Sequence, residues 1–160
     1  MNRDLCVGIA DMKFVKETGS LITYALGSCI GVSFHDPLIK LTALLHILLP
    51  ESNQVSNEHV YKFADSGIRE TLRILSLQGG AKSRYVCKVA GGAQMFQLPG
   101  NSPVANIGKR NFECVQKILQ SEGLRISNAQ VGGTIARTMR VEAATGVVQI
   151  RTHGLAEIIM

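Results

Sequence analysis

The chain has 160 residues, 46% hydrophobic and 18% charged, enough apolar material for one buried core and far from the composition of a disordered chain. Its net charge of +5 is carried by scattered cations and short pairs such as Lys82/Arg84 and Lys109/Arg110. With 5% aromatics and no Trp there is little on which bases would stack, so no nucleic-acid partner is expected, and a mildly basic surface suits an acidic protein instead. The longest apolar run, Leu41 to Pro50, is broken by Thr42 and His46 and falls short of a bilayer span, and the N-terminus lacks the pattern of a secretion signal. Membrane insertion is therefore not expected and a cytoplasmic location is.

Strand signals dominate the first third. Leu21 to Leu26 is rich in β-formers and is punctuated by Gly27-Ser28. Ile30 to His35 is a second strand, ended by the Asp36-Pro37 turn, and Leu41 to Leu49 a third, closed by Pro50. A polar loop follows, then a helix that should start near Ser56 or Asn57. Val60, Phe63, Ala64, Ile68, Leu72 and Leu75 recur at helical spacing before Gly79-Gly80. Arg84 to Ala90 returns to strand and breaks at Gly91-Gly92. A second helix runs from about Ile107 to Glu122, with Asn106 as its candidate cap and Val115, Ile118 and Leu119 facing inward. The tail reads as strands at Ile126–Val131, Arg137–Ala143 and Val147–Thr152, the last two joined by Ala144-Thr145-Gly146. With no linker, repeat or composition shift, residues 1–160 read as a single α+β domain, two main helices packed outside largely antiparallel sheet layers.

The four cysteines, Cys6, Cys29, Cys87 and Cys114, form no Cys-x-x-Cys pair. Two disulfides stay open at this point, but a chain of this length does not need them, and reduced thiols are the expectation. Cys29 acquires a partner through the Asp36-Pro37 hairpin. If His35 pairs with Lys40, Cys29 falls directly opposite His46 on the same face, where Cβ atoms are about 4.5–5.5 Å apart. A slip of one residue would separate them. An imidazole so placed takes the thiol proton, and a thiolate–imidazolium pair would lower the cysteine pKa. The thiolate attacks a carboxamide carbon, and the Cys29 N–H beside the Gly27-Ser28 turn is a candidate oxyanion donor. A cysteine or histidine in an apolar strand is more often a plain core residue, so the pattern alone leaves both readings open.

The stretch Leu26-Gly27-Ser28-Cys29-Ile30-Gly31-Val32, then Asp36-Pro37, then Leu45-His46-Ile47-Leu48-Leu49-Pro50, resembles the chemoreceptor glutamine deamidase family, CheD. Val89-Ala90-Gly91-Gly92-Ala93, Ile107-Gly108-Lys109-Arg110-Asn111, Gly132-Gly133 and Thr145 to Arg151 extend the likeness over almost the whole chain in order. The resemblance implies a Cys–His–Thr triad of Cys29, His46 and Thr23, with Gly27 and Ser28 supporting the nucleophile's loop. It implies glutamines on the cytoplasmic helices of methyl-accepting chemotaxis receptors as substrate. In some members it implies receptor methyl esters too, and often a CheC-type phosphatase that competes with the receptor. On that reading Leu21, Thr23 and Ala25 share a face, the Gly27-Ser28 turn folds their strand back beside the one bearing Cys29, and the Thr23 hydroxyl accepts the imidazole N–H. One departure is Ala136-Arg137, where the family commonly has Gly-Arg.

Competing sites are weaker. The two Gly-Gly pairs lack a phosphate-loop pattern and read as turns or bulges. A zinc site from Cys29, His35, His46 and His59 lacks the usual spacing, and alternation is taken to turn His35 away from Cys29, so no metal is expected. No cofactor is implied. The alternative to an enzyme is a non-catalytic adaptor that only binds receptors or a CheC-type phosphatase, which would have no chemical need for all three triad residues.

Overall fold

The computed structural model describes residues 4–52, 59–95 and 106–160. In chain order the elements are β1 (Asp4–Cys6), β2 (Asp11–Lys16), β3 (Ser20–Leu26), β4 (Ile30–Asp36), β5 (Leu41–Ile47), α1 (Ala64–Leu77), β6 (Val86–Gly91), α2 (Ile107–Ser121), β7 (Ile126–Val131), β8 (Arg137–Glu142), β9 (Val148–Thr152) and β10 (Ile158–Ile159). They build two five-stranded sheets, β1-β3-β8-β9-β10 and β2-β5-β4-β6-β7. Pairing is antiparallel except for β1 with β3 and β6 with β7, so the fold is α+β as expected. Among the described residues no helix is long and apolar enough to cross a membrane.

Alternation along β4 and β5 explains the layering. Ile30, Val32 and Phe34 of β4 and Leu41, Ala43, Leu45 and Ile47 of β5 point to one side, where they bury against Ala64, Ile68, Leu72 and Leu75 of α1 and Val115, Ile118 and Leu119 of α2. The opposite side of the same sheet carries Cys29, Leu44 and Ala90 against Leu21, Leu26, Met139, Val141, Val148 and Ile150 of the first sheet. The order is sheet, sheet, helix pair. Both β4 and β5 are buried on two faces and read as continuous apolar runs, which is why the polar residues that interrupt them are informative.

Several expected boundaries move. The proposed helix start at Ser56 or Asn57 lies outside the described residues. His59 has a left-handed φ of 60°, Val60–Lys62 forms one 3-10 turn, and Phe63 is extended, so α1 begins only at Ala64. The third strand stops at Ile47 rather than Leu49. The expectations for α2 and β7 agree with the structure to within a residue.

The β4–β5 hairpin differs by one pairing step. His35 pairs with Thr42 and Asp36 with Leu41, so Gly31, not Cys29, stands opposite His46. Asp36 stays in the strand because its buried carboxylate accepts the N–H groups of Leu38 at 3.1 Å and Ala81 at 3.2 Å and pairs with Arg84 at 2.8 Å. Burial pushes that carboxyl up, but the Arg84 guanidinium and the two N–H groups outweigh it and hold Asp36 below the ordinary range. Lys40, with a φ of 52°, then closes a loop of residues 37–40. The shift moves Cys29 to the diagonal position relative to His46, typically about 7–8 Å away, but preserves the shared face because the displacement is even.

By the same parity His35 shares the Cys29 face, contrary to the expectation that alternation turns it away. Its Nδ1 lies 2.7 Å from Thr42 Oγ1, which donates to the Ala143 carbonyl at 3.1 Å, and the Gly146 turn of the first sheet is packed against the ring.

The end of β6 is built around one conformation. Gly91 has a φ of 115°, and a Cβ there would stand 2.2 Å from the Cys29 carbonyl oxygen. Gly91→Ala should therefore lower stability by at least about 2 kcal/mol, from left-handed strain and a backbone clash together. Urea denaturation with an unchanged midpoint would show that the β6 end can move away from Cys29 without cost.

Candidate active site

Cys29 sits at the crossing where the chain leaves the first sheet at Leu26 and enters the second at Ile30. Every carbonyl of that crossing is tied down. Ala93 N–H donates to Gly27 O at 2.8 Å, Asn111 Nδ2 to Ser28 O at 2.9 Å, and Gly92 N–H to Cys29 O at 2.9 Å. The thiol is 6% exposed. At Gly27 a Cβ would meet the Met95 side chain at 3.1 Å, so this crossing is closely covered.

His46 comes from β5 and is fully buried. Its Nδ1 lies 2.7 Å from Thr23 Oγ1, and the same hydroxyl lies 2.7 Å from the Val7 carbonyl. A hydroxyl has one hydrogen. Since a carbonyl can only accept, Thr23 donates to Val7 and must accept from His46, which places the imidazole proton on Nδ1. Nε2 is left with its lone pair, buried and without a hydrogen-bond partner among the described residues. Buried polar atoms are seldom left unpaired, so this nitrogen is a candidate functional position.

Thr23 reaches His46 by an unexpected route. β3 does not fold back beside the strand bearing Cys29. It lies in the opposite sheet, and the Thr23–His46 bond spans the gap between the two sheets. Nor does strict alternation hold through β3: Thr23 pairs with Met139 and Leu26 with Arg137, so β3 carries one extra residue between them. Ala25, at a φ of 57°, forms the bulge and is exposed, while Leu26 turns inward. The bulge lets Thr23 and Leu26 both face the second sheet before the chain crosses over.

The protonation states also differ from the expected thiolate–imidazolium pair. Burial pushes the Cys29 thiol up. Burial pushes His46 down to about 4, against a smaller upward pull from the Asp11 carboxylate, whose residue pairs with His46 across β2 and β5. Both shifts favour a neutral thiol and a neutral imidazole at rest. The other cysteines, Cys6, Cys87 and Cys114, are free thiols in the structure as well.

Two further residues surround the site without having been singled out. Arg137 donates to the carbonyls of Gly91 at 3.1 Å and Gly132 at 2.9 Å, pinning β6 to the Gly132-Gly133 turn. Ala136 beside it has no left-handed φ, so the departure from the family's glycine costs no backbone strain. Asn111 is the other. It stands one helical turn before Val115 and two before Ile118, a polar residue on the apolar stripe of α2, and that misplaced polarity was the signal available in the sequence. No group of three or more metal-ligating side chains is found among the described residues.

Comparison with known proteins adds the following. The family described as CheD chemotactic sensory transduction matches residues 48–152, a segment that contains Asn111 and Arg137 and starts just beyond His46. The chain is 46% identical over 154 residues to a probable chemoreceptor glutamine deamidase CheD of Desulforamulus reducens, covering 96% of this chain and 93% of the relative. A protein of the same name from Syntrophomonas wolfei is 39% identical over 158 residues, 98% of each chain. Another, from Clostridium botulinum strain Alaska E43, is 40% identical over 155 residues, 96% of each.

The depressed His46 value has a consequence for stability. Between about 6.5 and 4 the unfolded chain binds a proton at this position and the folded chain does not, so stability falls as pH drops through that window. The loss from His46 alone should be roughly 3 kcal/mol, with buried His35, also pushed down, adding in the same sense. Denaturation at a series of pH values checks this. The slope should flatten in His46→Gln, and a slope identical to wild type would mean that His46 is not the buried neutral group described.

Proposed function

The chain belongs to the CheD family, and on that premise we propose that it is a cysteine amidohydrolase that converts glutamine side chains on chemoreceptors to glutamate. The observation that supports the reading is the buried, unpartnered Nε2 of His46, held in its basic tautomer by Thr23 on the sheet face that also carries Cys29.

The mechanism proceeds from the neutral pair. As Cys29 Sγ attacks the glutamine Cδ, its proton passes to His46 Nε2, and the carbonyl oxygen becomes an oxyanion near the Cys29 N–H. The tetrahedral species collapses, the C–N bond breaks, and the imidazolium gives its proton to the departing ammonia. Water then attacks the thioester with His46 again taking a proton, releasing glutamate and restoring the thiol. The net reaction consumes one water and yields one ammonia. Being neutral, Thr23 orients the ring but stabilises the transient imidazolium less than a carboxylate would. Low dielectric makes that imidazolium costly and short-lived, which favours rapid return of the proton to the leaving group.

The proposal takes residues 1–160 as one deamidase domain acting in the cytoplasm on receptor helices, with a CheC-type phosphatase as a competing partner. A receptor methyl ester fits the same steps, with methanol leaving in place of ammonia. The non-catalytic adaptor has no use for an orphaned imidazole nitrogen on the sheet face that carries Cys29.

Incubating the protein with a receptor cytoplasmic fragment and mapping Gln-to-Glu conversion by peptide mass tests the activity directly. Cys29→Ala should abolish conversion while leaving the circular dichroism spectrum and melting temperature near wild type, and full activity in that variant would rule out Cys29 as nucleophile. Thr23 is tested by the pair Thr23→Val and Thr23→Ser. Valine keeps the shape but offers no acceptor to His46 Nδ1–H, so kcat should fall by about two orders of magnitude, while serine should retain much of it. A valine variant as active as wild type would reduce the site to a Cys–His dyad.

A further inference from the structure

Asn111 is fully buried as the fifth residue of α2, on the stripe that packs against the second sheet. An asparagine there is locally unfavourable, since it ranks low in helix propensity and its side chain must be desolvated. Both hydrogens of its Nδ2 are committed, one to Ser28 O at 2.9 Å and one to Leu48 O at 3.0 Å. Its Oδ1 is buried with no partner among the described residues. An unpaired buried acceptor is destabilising, so the residue is poorly explained as mere packing.

Its two acceptors belong to the two segments that carry the reacting groups. Leu48 follows His46 by two residues at the end of β5. Ser28 immediately precedes Cys29, and the Ser28 carbonyl and Cys29 N–H belong to one planar trans peptide. In such a unit C=O and N–H point in opposite directions, so holding the carbonyl toward α2 aims the N–H away from it, toward the inter-sheet side. The Cys29 side chain packs on that same inter-sheet side.

We propose that Asn111 is a positioning residue for the oxyanion hole: its carboxamide sets the plane of the Ser28–Cys29 peptide so that the Cys29 N–H faces the developing negative charge, and it ties that peptide to the strand that brings His46. The inference rests on Cys29 being the nucleophile. Asn111 itself touches no reacting atom.

The test uses a contrast between two reactions of the same thiol. Deamidation passes through a tetrahedral oxyanion. Alkylation of Cys29 by iodoacetamide is a direct displacement that forms none, yet still requires the thiol to be accessible and ionisable. In the full-length protein, Asn111→Ala should lower kcat for receptor-fragment deamidation by about one to two orders of magnitude with KM within about threefold of wild type. The rate of Cys29 alkylation, followed by peptide mass, should not fall. A kcat near wild type overturns the proposal, and so does a loss of alkylation rate that matches the loss of kcat, since that would reflect general disorder of the site. If the alanine variant does not fold, Asn111→Ser, which fills more of the space and keeps one donor, is measured against the same two outcomes. Cys29→Ala assayed alongside separates the two failures: activity in that variant removes the nucleophile assignment, whereas an inactive Cys29→Ala beside a fully active Asn111 variant removes only the positioning role.

Discussion

The hydroxyl of Thr23 is the constraint on which the site depends. With a single hydrogen it must choose a direction, and the Val7 carbonyl makes the choice by being unable to donate. His46 is thereby left as the Nδ1–H tautomer, with its Nε2 lone pair buried and unpartnered among the described residues. The chain of Val7 C=O, Thr23 O–H and His46 N–H also crosses from one sheet to the other, so the orientation of the base and the spacing of the sheets are set by the same bonds.

The protein contains a second histidine–threonine pair. Toward the other end of the same inter-sheet layer, His35 Nδ1 contacts Thr42 Oγ1 at 2.7 Å, and Thr42 donates to the Ala143 carbonyl, repeating the tautomer logic of the first pair. There the Gly146 turn is packed against the ring and Lys88 lies close enough to oppose protonation. His46 Nε2, by contrast, is buried with no hydrogen-bond partner among the described residues.

Burial dictates how the chemistry is arranged. Pushing the thiol up and the imidazole down keeps both groups neutral at rest, so the site stores no ion pair in low dielectric, where each charge would carry a desolvation cost. Reactivity then depends on geometry at the moment of attack. The structure invests heavily in that geometry around Cys29: Gly91 in a conformation that admits the Cys29 carbonyl, Gly31 leaving room where a Cβ would stand 2.8 Å from Met139 Sδ, and three donors holding the three carbonyls of residues 27–29.

Local periodicity was enough to read β4, β5, β7 and α2, because each buries a face whose repeat is written in adjacent residues. It also placed Cys29 and His46 on one face, since parity survives an even shift of register even though the pairing itself was displaced. β1 and β10 are too short to carry a pattern, whereas Met12 and Phe14 of β2 do alternate toward the core and that signal was there to be used. Motif order over most of the chain identified the family. Tertiary structure alone decided which strands share a sheet, that Thr23 meets His46 across the inter-sheet gap, and that a bulge at Ala25 breaks the alternation leading to it. It alone decided the protonation of the pair, and that Asn111 reaches back over 83 positions to the Ser28 carbonyl. The division has one physical cause. A face is a property of neighbouring residues, but a hydrogen bond between distant segments and the dielectric around a side chain exist only once the chain has closed on itself.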